Sequence, residues 1–209
     1  MTHSLRVVLT LTCSVILLGV VGCTFWVQDW RYSLPTPRPA GLHQAPIGAA
    51  VSLAALPLDT SAQTKSKPLF FHFFNPSCPC SRFNLQHVRE LVRQHNEDVR
   101  FVAVLQGTNA AELKKSFAAT GLNIEAVTDI DGRIARKMGV YSTPQAVLLS
   151  ADGHLIYRGN YNLSRYCITR KTEYARIALE AYLSGKKVPI SRPATISFGC
   201  VLPTGNLAR

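Results

Sequence analysis

Apolar residues run from Val7 to Val27 without a charged residue. A helix needs about 20 apolar residues to cross a bilayer. Trp26, Trp30 and Tyr32 follow at the far end, where an interfacial aromatic belt would sit. Residues 1–32 therefore predict a membrane-spanning helix. The pattern then changes. Residues 33–66 place Pro35, Pro37, Pro39, Pro46 and Pro57 among small residues, the composition of a linker. Within it, Ala49–Leu58 is apolar enough to add a strand or lie on a domain. Leu69–Asn75 is an apolar and aromatic run interrupted by His72, with no alternation, as in a central strand buried on both faces. Phe83, Leu85, Val88, Leu91 and Val92 recur at helical spacing within Ser81–Asn96. Val99–Leu105 predicts the next strand. Asn109 then predicts the cap of a helix reaching Ala119 and ended by Gly121. Ile124–Thr128 reads as a short strand and Gly132–Met138 as a short helix closed by Gly139. Gln145–Leu149 and His154–Arg158 flank the hairpin signal Ala151-Asp152-Gly153, and Glu173–Leu183 is a last amphipathic helix. The order β-α-β-α-β-α-β-β-α predicts an α/β domain over residues 67–187, a central mixed β-sheet flanked by helices. Residues 188–209 are left as a tail.

Composition narrows the function classes. The chain has 209 residues, 47% hydrophobic and 17% charged, with a formal net charge of +11. The basic residues are scattered, as at Arg82, Arg89, Arg93, Lys114, Lys115, Arg133 and Arg136. No block of like charges and no RNA-binding aromatic motif accompanies them, so the balance reads as a solvated or membrane-facing basic surface, with no nucleic-acid partner.

The N-terminal segment has three readings. Its apolar length exceeds the roughly 7–15 residues of a cleavable signal core, which favours a retained anchor. Val20-Val21-Gly22-Cys23 resembles a bacterial lipobox, which would make it a lipoprotein. Ordinary signal cleavage is the third. Arg6 marks the near end as cytoplasmic, while Arg31 and Arg38 on the other flank weigh against that orientation. All three readings export the remainder, to the periplasmic, extracytoplasmic side of a bacterial inner membrane. There, disulfides persist.

The six cysteines are Cys13, Cys23, Cys78, Cys80, Cys167 and Cys200. Cys78-Pro79-Cys80 stands where the buried strand ends and helical sequence begins. Thiolates are the reactive form, and helix starts lower thiol pKa values to roughly 3.5–7.5. Arg82 adds positive charge nearby. This junction, together with Gly139-Val140-Tyr141-Ser142-Thr143-Pro144, the turn Asp152-Gly153 and the closing helix, resembles the thioredoxin-like superfamily. The likeness is to its membrane-tethered bacterial thiol–disulfide oxidoreductase and redoxin members, over residues 67–186. The resemblance implies a thioredoxin-like fold with an N-terminal transmembrane helix, protein thiols and disulfides as partners, and no cofactor. It also implies a cis Pro144, leaving the Thr143 backbone open to an extended substrate.

The chain departs from the family in one respect. The family has Cys-x-x-Cys, and here the pair is one residue closer. Either Cys78 takes the place of the nucleophile, or Pro79-Cys80 keeps the family's Pro-Cys and Ser77 stands in that place; we follow the first. The family's buried acid then falls on His72, a candidate proton acceptor or else a core histidine satisfied by backbone. In this reading Cys78 attacks a substrate disulfide and Cys80 resolves the mixed disulfide, forming a Cys78–Cys80 bond. Its small ring implies strain and a relatively oxidising potential.

Other readings stay open. Cys78 and Cys80 could bind Cu(I), which soft thiolates select, in a copper-binding or copper-delivery protein. The family's copper carriers use a wider cysteine spacing and a later histidine, and His154, which sits in the hairpin, is a poor match for it. A peroxidase pattern is not met, because Phe71 occupies the place of its proline. A non-catalytic scaffold is the third class. Cys167 and Cys200 read as a structural disulfide pinning the tail, or as a second redox pair, or Cys200 as a distal resolving thiol.

Overall fold

The computed structural model describes residues 3–30, 34–53, 58, 66–163 and 169–203. They fall into two compact units, Met1–Leu34 and Pro35–Arg209. In the first, α1 (His3–Phe25) continues into a π-helical turn, Trp26–Trp30. Its 23 residues extend about 34 Å at about 1.5 Å per residue, against a hydrocarbon layer of about 30 Å. With a mean hydropathy of 2.3 and no buried residue, the helix is long and apolar enough to cross a membrane. Its threonine hydroxyls are satisfied within the helix: Thr10, Thr12 and Thr24 donate to the carbonyls of Arg6, Val8 and Val20 at 2.8–2.9 Å. In a bilayer core they would find no other partner.

The second unit is built on a five-stranded mixed sheet in the order β3-β2-β1-β5-β6. The strands are β1 (Leu69–Phe74), β2 (Arg100–Leu105), β3 (Glu125–Thr128), β5 (Gln145–Leu149) and β6 (Leu155–Gly159). β1, β2 and β3 are parallel, and β5 and β6 run antiparallel to their neighbours. A separate pair joins β4 (Ser142–Thr143) to β7 (Cys200–Val201). The helices are α2 (Pro79–Phe83), α3 (Leu85–His95), α4 (Ala110–Ala118), α5 (Arg133–Met138), α6 (Tyr174–Leu183) and α7 (Arg192–Thr195).

Successive side chains of β1 point to opposite faces of the sheet. Phe70 and Phe74 join Val88, Leu91, Leu113, Phe117, Ala178 and Leu179 on one face. Phe71 and Phe73 join Val104, Ile134, Met138, Val147 and Leu149 on the other. Both faces are covered, which is why the strand's sequence shows no alternation. The order of strands and helices is the thioredoxin-like fold that the sequence predicts.

Two expectations change. The helix predicted over Ser81–Asn96 is two helices, α2 and α3. Asn84 separates them, its side chain donating to the Cys80 carbonyl at 3.0 Å; short amides compete in this way with the helical ladder. The boundaries at residues 33–66 and 188–209 also move, because parts of both segments belong to the domain. Leu42 and Val51 are core residues. Ala50 bridges to His154, and Val51 N–H donates to the Gly153 carbonyl at 2.9 Å. In the tail, Ala194 and Leu202 are buried. A fragment starting at Pro35 is therefore expected to unfold at higher urea than one starting at Lys67. The gain is roughly 3–6 kcal/mol, from burying two aliphatic side chains. Equal urea midpoints would show that residues 35–66 add nothing.

Candidate active site

The end of β1 and the start of α2 set the cysteines. Asn75 organises the turn: its Oδ1 accepts from Ser77 N–H at 2.9 Å and its carbonyl from Cys78 N–H at 3.0 Å. Ser81 Oγ closes the loop by accepting from Asn75 N–H at 3.3 Å. Cys78 is the N-cap of α2 in extended conformation (φ −88°, ψ 118°), and Pro79 opens the helix, where a missing N–H costs nothing. Arg82, expected to add charge, is exposed.

Cys78 is bonded to Cys200, with a Cα–Cα separation of 6.1 Å. This overturns the expected Cys78–Cys80 bond and the Cys167–Cys200 alternative, since one sulfur makes one disulfide. The reason is directional. Cys78 is extended and its sulfur is joined to Cys200 of β7, whereas Cys80 lies in the first turn of α2. The inference of a strained small ring goes with the pairing that suggested it. Cys80 keeps its thiol and is buried. Even so, the sulfurs of Cys78, Cys80 and Cys200 all lie within 4.8 Å of one another. Cys167 lies outside the described residues.

The Thr143–Pro144 bond is cis. Cys78 Sγ is 3.5 Å from the Thr143 carbonyl oxygen. The bonded sulfur has no proton to donate there; a reduced thiol would have this acceptor. The Thr143 backbone is not open to a substrate strand as expected, because Cys200 already faces it across the β4–β7 pair. Cys80 lines a narrow cleft with Asn84, Pro144, Tyr161 and Phe198.

His72 is fully buried on the same face of the sheet as Phe70 and Phe74. Its partner is a side chain and not backbone: His72 Nδ1 and Tyr161 OH are hydrogen-bonded at 2.7 Å. Burial, helped by the charge of His87, holds its pKa down at about 3 against an ordinary 6.5. The unfolded chain thus takes up this proton near pH 6.5 and the folded one only near pH 3. Stability is complete above that window and falls as pH drops through it, by up to roughly 1.4 kcal/mol per pH unit. Urea unfolding at pH 6.5, 5.5 and 4.5 should show this extra acid loss in the wild type. It should be missing from His72→Leu, even though that variant starts less stable; parallel slopes would rule His72 out as its source.

Sequence reasoning missed Tyr161 and misplaced Cys200. Tyr161 falls in a stretch without periodicity. Cys200 lies 122 residues from its partner, and no local pattern spans that distance.

The chain's similarities follow this geometry. The sequence family described as "Domain of unknown function (DUF6436)" matches residues 49–202. No curated protein matches the sequence. An uncharacterized conserved protein from Geobacillus kaustophilus has a similar structure, with a TM-score of 0.63 and 23% identity, covering 83% of this chain and 96% of that one. A hypothetical protein from Sinorhizobium meliloti 1021 is similar with a TM-score of 0.62 and 19% identity, covering 77% and 95%. The thioredoxin domain of a thiol-disulfide oxidoreductase from Bacteroides vulgatus matches with a TM-score of 0.48 and 12% identity, covering 59% and 94%.

Proposed function

We propose, from the premise that the chain belongs to the DUF6436 family, that it is an exported, membrane-anchored thiol–disulfide oxidoreductase. It exchanges disulfides with protein substrates through Cys78 and Cys80. One observation carries the reading: Cys78 is already in a disulfide, beside Thr143 and Pro144, with the Cys80 sulfur within 4.8 Å. A thiolate attacks a disulfide sulfur and expels the other as thiolate, so three sulfurs this close can pass one disulfide among them. Thr143 and Pro144 shape the ground beside Cys78. His72, neutral and bonded to Tyr161, has its pKa held at about 3 and so is too weak a base to serve as the proton acceptor that its place in the strand suggested. A disulfide suits an oxidising compartment, and α1 supplies an anchor.

The test is insulin reduction and exchange with a redox-sensitive fluorescent protein, using the whole chain in detergent micelles. Turnover that depends on Cys78 supports the reading. A second reading rests on the same sulfurs: once reduced, Cys78, Cys80 and Cys200 form a soft three-thiolate set suited to Cu(I). No turnover, with tight stoichiometric Cu(I) binding in competition with bicinchoninate, would replace exchange by copper binding or delivery.

A further inference from the structure

The chain's own tail occupies the backbone edge where a substrate strand is expected. Cys200 faces Thr143, and Val201 faces Ser142. The approach is close: a Cβ built on Gly199 would lie 2.2 Å from the Thr143 carbonyl oxygen, so no larger residue fits there.

The tail is held on both sides of this point without help from the disulfide. Upstream, Thr36 N–H donates to the Ser197 carbonyl at 2.8 Å and Thr36 Oγ1 to the Gly199 carbonyl at 3.0 Å. Asn160 Nδ2 donates to the Pro193 carbonyl at 3.1 Å. Downstream, Leu202 is buried in the core and its N–H donates to the Tyr141 carbonyl at 3.4 Å. A tail anchored in this way stays in place when its sulfur is reduced. The two bonded residues also differ in access. Cys78 is 1% exposed, whereas Cys200 is only half-buried.

Building on the thiol–disulfide reading, we infer that Cys200 is a third redox cysteine, the one that meets the partner protein, with Cys78 the leaving and resolving thiol behind it. In the oxidising direction a partner thiolate attacks Cys200 Sγ. The Cys78–Cys200 bond breaks and Cys78 departs as thiolate. The partner's second thiolate then attacks the partner sulfur of the mixed disulfide and expels Cys200. The partner dithiol loses two electrons to form its disulfide; Cys78 and Cys200 gain them and take up, through solvent, the two protons the partner released. Reduction of a partner disulfide runs the same steps backwards, opened by the Cys200 thiolate. Because β7 fills the Thr143 edge, the partner does not add a strand there, and the class of substrate is a protein thiol or disulfide exposed at a surface.

The test begins on the unaltered oxidised protein in micelles. It is exposed briefly to reduced glutathione, quenched with acid, alkylated with N-ethylmaleimide and mapped by peptide mass spectrometry. Glutathione is expected on Cys200 and maleimide on Cys78; the reverse overturns the inference. Two variants extend this. Cys200→Ser should lower insulin reduction at least tenfold although Cys78 and Cys80 remain. Gly199→Val keeps every thiol but clashes with Thr143, and should lower it comparably. Wild-type turnover in Cys200→Ser would make the bridge a structural staple and overturn this inference alone. A wild type inert toward insulin would overturn the exchange reading and this inference with it.

Discussion

Cys78→Ser is expected to take insulin reduction down to the uncatalysed background and to lower the unfolding free energy by about 2–4 kcal/mol. The two losses have different causes. Cys78 is bonded to Cys200 and lies within 4.8 Å of Cys80, so every route that passes a disulfide into the buried pair uses its sulfur. Serine cannot accept a disulfide, and the route closes. The stability loss comes from the chain. The bridge joins residues 122 apart, and cross-linking so long a segment removes much of the unfolded chain's freedom. Cys200→Ser should cost the same stability. Cys80→Ser should leave the Cys78–Cys200 bridge intact. Wild-type protein unfolded in urea with excess dithiothreitol should match the stability of oxidised Cys78→Ser. If reduction leaves the wild-type midpoint unchanged, the bridge contributes nothing to stability and the account of the second loss is wrong.

The parts of this protein that were legible in the sequence are those set by local pattern. The double-sided burial of β1 is written in the run Leu69–Phe74. The cap at Asn109 is written in its residue type: its side chain accepts from Ala111 and Glu112 N–H at 3.1 and 3.2 Å. The Gly139 closure of α5 is seen in a left-handed φ of 66°. The junction of strand, cysteines and helix could be read because its chemistry lies within a few residues. What could not be read depends on distant segments meeting. Nothing near Thr36 announces that it clamps Ser197, and nothing near Cys200 announces Thr143. The spacing of Cys78 and Cys80 suggests a pair, but backbone direction decides which sulfurs face each other. His72 was visible as an anomaly in an apolar strand; its partner Tyr161 was not, because the two meet only when the sheet is closed.

Asp129→Ala is the second large effect expected, a loss of about 3–4 kcal/mol in urea unfolding with a fall in exchange activity. In the sequence Asp129 sits between a short strand and a short helix. In the fold it is 3% exposed and ties several elements together. Its Oδ1 accepts from Ile134 N–H at 2.9 Å, and its Oδ2 from Ala135 N–H at 2.9 Å and Gln106 Nε2 at 2.8 Å. The N-cap of α5 is Gly132, which has no side chain to offer, so the carboxylate satisfies the first N–H groups of that helix. Its own N–H donates to the Leu105 carbonyl at 3.0 Å, and Gln106 N–H donates to the Phe74 carbonyl at 2.8 Å. The ends of β1, β2 and β3 are thereby linked to α5. Hydrogen bonds to a charged acceptor contribute roughly 1.5–3 kcal/mol each, and removing the acceptor leaves buried donors unpaired; the three bonds share one group, so their losses do not add. Activity follows because α5 leads through Val140 and Tyr141 directly into Ser142, Thr143 and Pro144, and a loosened helix loosens the strand that faces Cys200. Asp129→Asn should fall between, since an amide keeps one acceptor and turns a donor toward the other N–H. An Asp129→Ala protein within about 0.5 kcal/mol of wild type would show that water replaces the carboxylate and that Thr143 is positioned from elsewhere.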